Sequence, residues 1–182
     1  YFDYKDNAIL LKQYITTVNR LLTLSAIIIG GLLLTLLYFV GDSLFKGLEF
    51  VPFILLSVIT AGLGANNQLQ QRIIQNREQS RYSVVLKTIF TLSSVAMAVA
   101  FVVYLKMGAL GIVLSHFIIT IAFFIQALFY LKSYVGARFN FSMAKEALTY
   151  GIGVLPHHLA AAAAPFISKT LLLNMGSLVA LG

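Results

Sequence analysis

Long stretches of sequence without any charged residue constrain this chain more than any other feature. Leu21 to Val40, Phe50 to Gln71, Thr88 to Leu105 and Met107 to Leu131 contain no Asp, Glu, Lys or Arg. A helix needs about 20 mostly apolar residues to cross the roughly 30 Å hydrocarbon core of a bilayer. These four runs therefore predict four transmembrane helices.

A fifth apolar run, Tyr150 to Asn174, is less uniform because it contains Pro156, Pro165 and Lys169. We predict a fifth span here, with kinks at the two prolines, since each removes a backbone donor and clashes with the preceding turn. None of the five runs shows the alternating polarity of membrane β-strands. The predicted fold is all-α, a polytopic transmembrane helix bundle of about five spans.

The composition excludes a water-soluble domain. Hydrophobic residues make up 59% of the chain and charged residues 10%, whereas soluble domains carry about 25% charged residues. The net charge of +7 does not indicate nucleic-acid binding, because the basic residues form short clusters between apolar runs and no continuous stripe. With no cysteine, thiolate chemistry is excluded. Because the chain starts at Tyr1 without Met, we expect it to be part of a longer protein.

The distribution of Lys and Arg predicts the orientation, since cytoplasmic loops are enriched in these residues. Only Lys46 and Lys106 fall on one side of the predicted spans. The other side carries Lys5, Lys12, Arg20, Arg72, Arg77, Arg81, Lys87, Lys132, Arg138 and Lys145. We therefore expect the chain to start in the cytoplasm, to end outside, and to reside in the cytoplasmic (inner) membrane.

The longest polar connection is the predicted cytoplasmic loop from Lys132 to Thr149. Ser142 is a plausible N-cap. Beyond it, an apolar helical face consists of Met143, Ala144, Ala147 and Leu148. This pattern predicts a short amphipathic helix at the cytoplasmic interface.

Three segments carry a resemblance to a known family. They are Gln68 to Tyr82 (QLQQRIIQNREQSRY), Ala144 to Pro156 (AKEALTYGIGVLP) and Ile167 to Gly182 (ISKTLLLNMGSLVALG). In their order and spacing, they resemble the polysaccharide transporter branch of the multidrug, oligosaccharidyl-lipid and polysaccharide exporter superfamily, to which O-antigen flippases belong.

The resemblance implies a two-lobed transporter of about 12 to 14 helices. Residues 1–131 would be the latter part of the first lobe, residues 132–149 the linker, and residues 150–182 the first span of the second lobe. The implied activity is movement of undecaprenyl-diphosphate-linked oligosaccharide, an O-antigen or other surface polysaccharide repeat unit, to the outer leaflet by alternating access. The implied partners are the lipid bilayer, this substrate and other polysaccharide-assembly proteins, with neither an enzymatic activity nor a cofactor.

Lys169 and His116 are the two candidates for a substrate-binding cavity. An ammonium group within a span is costly unless it faces water or a partner, so Lys169 either lines a cavity or snorkels to the outer interface. The resemblance implies an acidic and basic pair at this point, where the chain has Ser168 and Lys169. His116 either hydrogen-bonds sugar or carries a proton, or it bonds a neighbouring helix.

The cytoplasmic basic cluster consists of Arg72, Arg77, Arg81 and Lys87. We interpret this cluster as the excess of basic residues that marks a cytoplasmic loop. The alternative is that it attracts an anionic lipid or a diphosphate. Adjacent His157 and His158 point about 100° apart on a helix and so cannot readily share a metal; no metal site is predicted.

Two other functions stay open. A multidrug exporter of the same superfamily would be expected to carry acidic residues in its spans, and none lies there. A membrane-embedded enzyme of glycan assembly would be expected to carry a long outer loop with catalytic residues, and both outer loops are short.

Overall fold

The computed structural model describes Tyr4 and residues 7–44 and 50–174; the side chains of residues 40–50, 158, 162 and 165–174 are outside the description. Helices dominate this part of the chain. They are α1 (Ala8–Leu44), α2 (Leu55–Asn76), α3 (Ser80–Val99), α4 (Ala109–Leu131) and α5 (Phe141–Asn174), with π-helical segments at Phe50–Ile54 and Ala100–Tyr104. The prediction of an all-α fold is confirmed for the described residues.

Three of the described helical stretches are long and apolar enough to cross a membrane: Ala8–Phe39, Ser80–Tyr104 and Ala109–Leu131. They coincide with the first, third and fourth predicted spans, and they identify the chain as a membrane protein. The second and fifth predicted spans also form helices, α2 and α5, but these are not among the three.

Helix α1 is longer than a membrane span, at about 55 Å for its 37 residues. Its start is capped by Asn7, whose Oδ1 accepts hydrogen bonds from the backbone N–H groups of Ile9 (3.1 Å) and Leu10 (3.2 Å). Ile27 and its apolar neighbours in the middle of α1 are exposed. Such an apolar surface suits contact with lipid.

One end of the helix bundle has a buried apolar cluster, which we call the packed end. Its buried members are Ile15 of α1, Ile73 of α2 and Leu131 of α4, each 2% exposed. Partly buried residues around them are Leu11, Leu69, Tyr130, Tyr134 and Val135. The packed end therefore joins three helices at what is predicted to be their cytoplasmic side.

Two threonines of α1 attach the segment that follows α4 to the packed end. The backbone N–H of Asn140 donates to Thr17 Oγ1 at 3.1 Å, and that of Ala137 to Thr16 Oγ1 at 3.4 Å. Thr16 Oγ1 in turn lies 3.4 Å from the carbonyl oxygen of Tyr134. Both threonines are fully buried, so residues 134–140 follow the surface of α1.

Helix α2 is the central helix of residues 1–140, because it packs against α1, α3 and α4. It ends in a Schellman motif, in which the N–H of Gln79 bonds the carbonyl of Ile74 and the N–H of Glu78 bonds that of Gln75. Glu78 occupies the left-handed position with φ 61°. This tight turn brings α3 back alongside α2.

The connection from α3 to α4 brings two backbones close together at Gly111. A Cβ atom at this position would lie 3.0 Å from Phe101 Cβ and 3.1 Å from the Phe101 carbonyl carbon. A Cβ atom would be tighter than ordinary contacts, so the π-helical segment would have to shift by a few tenths of an ångström to accept a side chain at this position. Gly30 and Gly62, by contrast, leave ordinary contact distances to Val58 and Ala26 on the facing helix.

Residues 141–182 form a separate compact unit, of which the structure describes α5. Helix α5 runs without interruption from Phe141 to Asn174, so the predicted amphipathic helix and the predicted fifth span are one element. Met143 and Ala144 are buried, while Leu148 is exposed. Helix α5 continues through Pro156 and Pro165. The kinks expected at these prolines stay a prediction.

Candidate functional site

A cleft of about 850 Å³ lies among α2, α3 and α4, and we call it the α2–α4 cleft; most of its surface is apolar, and polar side chains line it along α2. Helix α2 supplies most of its polar side chains. Five of them recur at spacings of three, four or seven residues, which places them on one face of the helix: Ser57, Thr60, Asn67, Gln71 and Gln75. The volume falls within the range of about 300–1,000 Å³ that is usual for ligand sites.

The α2–α4 cleft extends over most of the length of α2. Both Ser57 and Gln75 line it, and at about 1.5 Å per residue the stretch between them is about 27 Å long. The hydrocarbon core of a bilayer is roughly 30 Å thick. A polar surface of this length therefore approaches the thickness of the apolar layer that a polar solute has to cross.

Two members of the predicted basic cluster line the cleft, and two do not. Arg72 of α2 and Lys87 of α3 are lining residues. Arg77 instead donates a hydrogen bond from Nη1 to the Tyr134 hydroxyl, and its Cζ lies 5.7 Å from the centre of that ring. Arg81 is exposed and is not a lining residue. The cluster thus divides into a cleft pair and a peripheral pair.

His116, predicted as a cavity candidate, lies on α4 and lines the cleft. Its ring packs edge-on against Phe90, with centroids 5.7 Å apart and an interplanar angle of 82°. Phe90 also packs edge-on against Phe123, at 5.0 Å and 87°. These perpendicular contacts are favoured by the ring quadrupoles and hold Phe90 between α3 and α4.

A hydrogen-bonded group at one side of the cleft positions two carboxamides. Buried Ser83 of α3 donates from Oγ to Gln71 Oε1 at 2.6 Å, and Gln75 Nε2 donates to Ser83 Oγ at 3.5 Å. Both glutamines belong to α2. The group therefore joins α2 to α3 and orients the two glutamine side chains along the cleft.

Two buried polar side chains that line the cleft have an atom without a partner. Gln70 is 3% exposed and Thr120 is 2% exposed, and neither Gln70 Nε2 nor Thr120 Oγ1 makes a hydrogen bond in the described part of the chain. A buried polar group left without a partner costs about 1–3 kcal/mol. Asn67 Oδ1 is a third buried atom without a partner in a lining residue, so α2 contributes two such atoms and α4 one.

Sequence reasoning did not select the carboxamides of α2, three of which line the cleft: Asn67, Gln70 and Gln71. Their helical spacing with Thr60 was the signal that could have identified them. Gly64 also lines the cleft and has no side chain within 4 Å of its Cβ position.

The remaining candidates either are not among the lining residues of this cleft or lie outside the described residues. Lys169 belongs to α5 by its backbone, but its side chain lies outside the described residues, as do those of His158 and Pro165. His157 is exposed. Lys46 also lies outside the described residues. Of the two basic residues predicted on the less basic side of the spans, the structure therefore describes only Lys106. The cavity role predicted for Lys169 stays a prediction.

No protein-family model, curated protein or solved structure matches the chain. The α2–α4 cleft and the distribution of basic residues are therefore the features that bear on function.

Proposed function

We propose that this chain is part of a flippase that carries undecaprenyl-diphosphate-linked oligosaccharide across the cytoplasmic membrane by alternating access. The observation that supports it best is the α2–α4 cleft, which has a row of polar side chains about 27 Å long on α2 and cationic Arg72 and Lys87 among its lining residues. A lipid-linked oligosaccharide has a polar headgroup that needs such a path and a polyprenyl chain that stays in the lipid.

The surroundings of the cleft suit this amphiphilic substrate. Large apolar residues on the outer faces of α3 and α4 are exposed, among them Val84, Leu92 and Phe129. They would contact lipid, while the headgroup would lie in the cleft. Arginine and lysine bind phosphate groups through charge-assisted hydrogen bonds, which are about twice as strong as neutral ones.

We propose five membrane spans, with α2 and α5 crossing the membrane in addition to the three more apolar helices. Helix α2 can be less apolar than the others because it is flanked by α1, α3 and α4 and directs its polar face to the cleft. The excess of Lys and Arg at the packed end and in the α2–α3 turn supports a cytoplasmic location of that end under the positive-inside rule.

Transport is tested with the full-length protein that contains this chain, purified and placed in liposomes with a fluorescent undecaprenyl-diphosphate-linked oligosaccharide. Dithionite bleaches only the outer leaflet, so protein-free liposomes lose about half of the fluorescence. We expect active liposomes to lose more than half. A loss that stays at half with folded, inserted protein would overturn the proposal.

Matched charge variants locate the transport path. The double variant Arg72→Ala, Lys87→Ala is expected to slow the bleaching of the inner leaflet at least tenfold, which corresponds to the roughly 1.5–3 kcal/mol of a hydrogen bond to a charged group. Arg81→Ala removes a cation from the same basic cluster and is expected to leave the rate unchanged. Equal rates in both variants would show that the cleft cations are not part of the path. In the same assay, Lys169→Ala tests whether Lys169 of α5 has the cavity role predicted for it.

A further inference from the structure

A second opening in the helix bundle lies between α1 and α4, and we call it the α1–α4 groove. It has a volume of about 410 Å³ and shares no lining residue with the α2–α4 cleft. Helix α1 contributes Asn19 to its lining. The other lining residues belong to α4 and to the segment that follows it: Ile125, Leu128, Phe129, Leu131, Lys132 and Val135. Because Leu131 and Val135 are also members of the packed end, the groove adjoins that end of the bundle.

A row of apolar side chains on α4 leads along the groove to a cation. The row occupies positions i, i+3, i+4 and i+7, which lie on one face of a helix: Ile125, Leu128, Phe129 and Lys132. It is about 10 Å long, at about 1.5 Å per residue. The three apolar residues are exposed, and so is Lys132. The surface therefore changes from apolar to cationic towards the end of α4.

An anionic group beside Lys132 would meet no opposing charge in the described part of the groove. Of the acidic residues, the structure describes Glu78 and Glu146, and neither is a lining residue. The carbonyl oxygen of Leu131, next to Lys132 at the end of α4, already accepts two backbone N–H groups at 2.8 and 2.9 Å. The ammonium group is therefore available to a ligand.

This combination favours an anionic phospholipid over a soluble anion. A free phosphate would gain one exposed cation, and such an ion pair contributes little in water. A phospholipid adds the apolar contact of an acyl chain with the row on α4. Basic pockets between membrane helices on the cytoplasmic side bind anionic headgroups, and the cytoplasmic leaflet is the one with a negative surface. Arg20, next to Asn19 in α1, is exposed and adds positive charge.

We propose that the α1–α4 groove binds an anionic phospholipid of the cytoplasmic leaflet. One acyl chain lies along Ile125, Leu128 and Phe129, and the phosphate pairs with the ammonium group of Lys132. A lipid in this position bridges α1 and α4, which both pack on α2. The inference uses the cytoplasmic location proposed for the packed end, but it requires no transport and goes beyond the proposed function.

Photo-crosslinking tests the identity of the lipid. The photoreactive residue p-benzoylphenylalanine replaces Phe129 in the full-length protein that contains this chain. Nanodiscs contain equal amounts of phosphatidylglycerol, which is anionic, and phosphatidylcholine, which is zwitterionic, with the same acyl chains. Mass spectrometry of the labelled peptide measures both adducts after irradiation. We expect about fivefold more phosphatidylglycerol adduct, which converts to about 1 kcal/mol for one lysine near an anionic lipid surface.

A matched position controls for ordinary lipid contact. The same photoreactive residue replaces Ile27, which is exposed in the apolar middle of α1 and does not line the groove. We expect about equal adducts of the two lipids at this position, because no cation selects between their headgroups. The same preference at both positions would overturn a site in the groove.

Variants of Lys132 assign the preference to its charge. Combined with the label at Phe129, Lys132→Ala should make the two adducts about equal, whereas Lys132→Arg should retain the preference because it keeps a cation that binds phosphate. Lys145→Ala is the control, since Lys145 is an exposed lysine that does not line the groove. A preference that survives in Lys132→Ala, or that is lost equally in Lys145→Ala, would refute the role of Lys132.

Other occupants of the groove give different results. A crosslink from position 129 to a second copy of the protein would assign the groove to a protein interface and overturn the lipid site. Absence of any lipid adduct at position 129, with adducts present at position 27, would overturn it as well.

The lipid test and the transport test fail separately. A preference for phosphatidylglycerol that depends on Lys132, without transport of the lipid-linked substrate, would support the lipid site and overturn the flippase. Transport by a protein that shows no such preference would support the flippase and overturn the lipid site.

Discussion

The packed end and the α2–α4 cleft use the same two helices in opposite ways. Ile73 of α2 and Leu131 of α4 are buried at the packed end. Gln70 of α2 and Thr120 of α4 are as deeply buried beside the cleft but each leaves a polar atom without a partner. One turn of α2 separates Ile73 from Gln70. A well-packed apolar residue and an unpartnered polar group therefore lie one turn apart on the same helix.

The largest expected effect tests the packed end. Ile73→Ala should lower the free energy of unfolding by about 2–5 kcal/mol, because the lost side chain leaves a cavity among three helices. Equilibrium unfolding in detergent micelles, followed by circular dichroism, measures the change. Ile27→Ala, at a position 67% exposed on α1, is the control and should stay within about 0.5 kcal/mol. Similar losses in both variants would remove the distinction between packed and lipid-facing residues.

A change of the opposite sign is expected in the cleft. Gln70→Leu should raise the free energy of unfolding by about 1–3 kcal/mol, since it replaces an unpartnered buried amide by an apolar group of similar size. The same unfolding experiment measures it without added ligand. Gln68→Leu, at an exposed cleft position, should have little effect. A destabilised Gln70→Leu variant would mean that the amide already has a partner.

Loss of one buried contact beside the packed end should have a smaller effect. Thr17→Val removes the acceptor of the Asn140 N–H and should lower the free energy of unfolding by about 0.5–1.5 kcal/mol. Hydrogen exchange at the Asn140 amide should accelerate in parallel. Thr35→Val is the matched control, because the Thr35 hydroxyl bonds only to Gly31 O in its own helix. Unchanged exchange at Asn140 would contradict the attachment of residues 134–140 to α1.

The smallest expected effect concerns the turn that leads from the packed end into α3. Glu78→Gly should raise the free energy of unfolding by about 0.5 kcal/mol, because glycine adopts the left-handed conformation of φ 61° without steric cost. Gln79→Gly, next in the chain and at φ −84°, should lower it instead. Thermal unfolding of the two variants gives the comparison. If the free energy of unfolding changed in the same direction in both variants, backbone strain at Glu78 would be excluded as the cause of the change.

Hydropathy predicted the helices well where a single helix faces lipid. The first, third and fourth predicted spans correspond to helices apolar enough to cross a membrane, because their exposed residues have to match the solvent around them. The second predicted span, which corresponds to α2, is not among these apolar helices. Because α2 packs against other helices on several sides, it can carry polar residues that line the cleft.

The sequence by itself determined the class of this protein, its helical spans and the uneven distribution of basic residues. These properties depend on composition and on neighbours along the chain. Only the tertiary structure decided which basic residues belong together: Arg72 and Lys87 line the cleft, whereas Arg77 pairs with Tyr134. Only the structure brought Gln70 and Thr120 to one cleft, since they lie on separate helices and no local pattern records which faces of α2 and α4 meet.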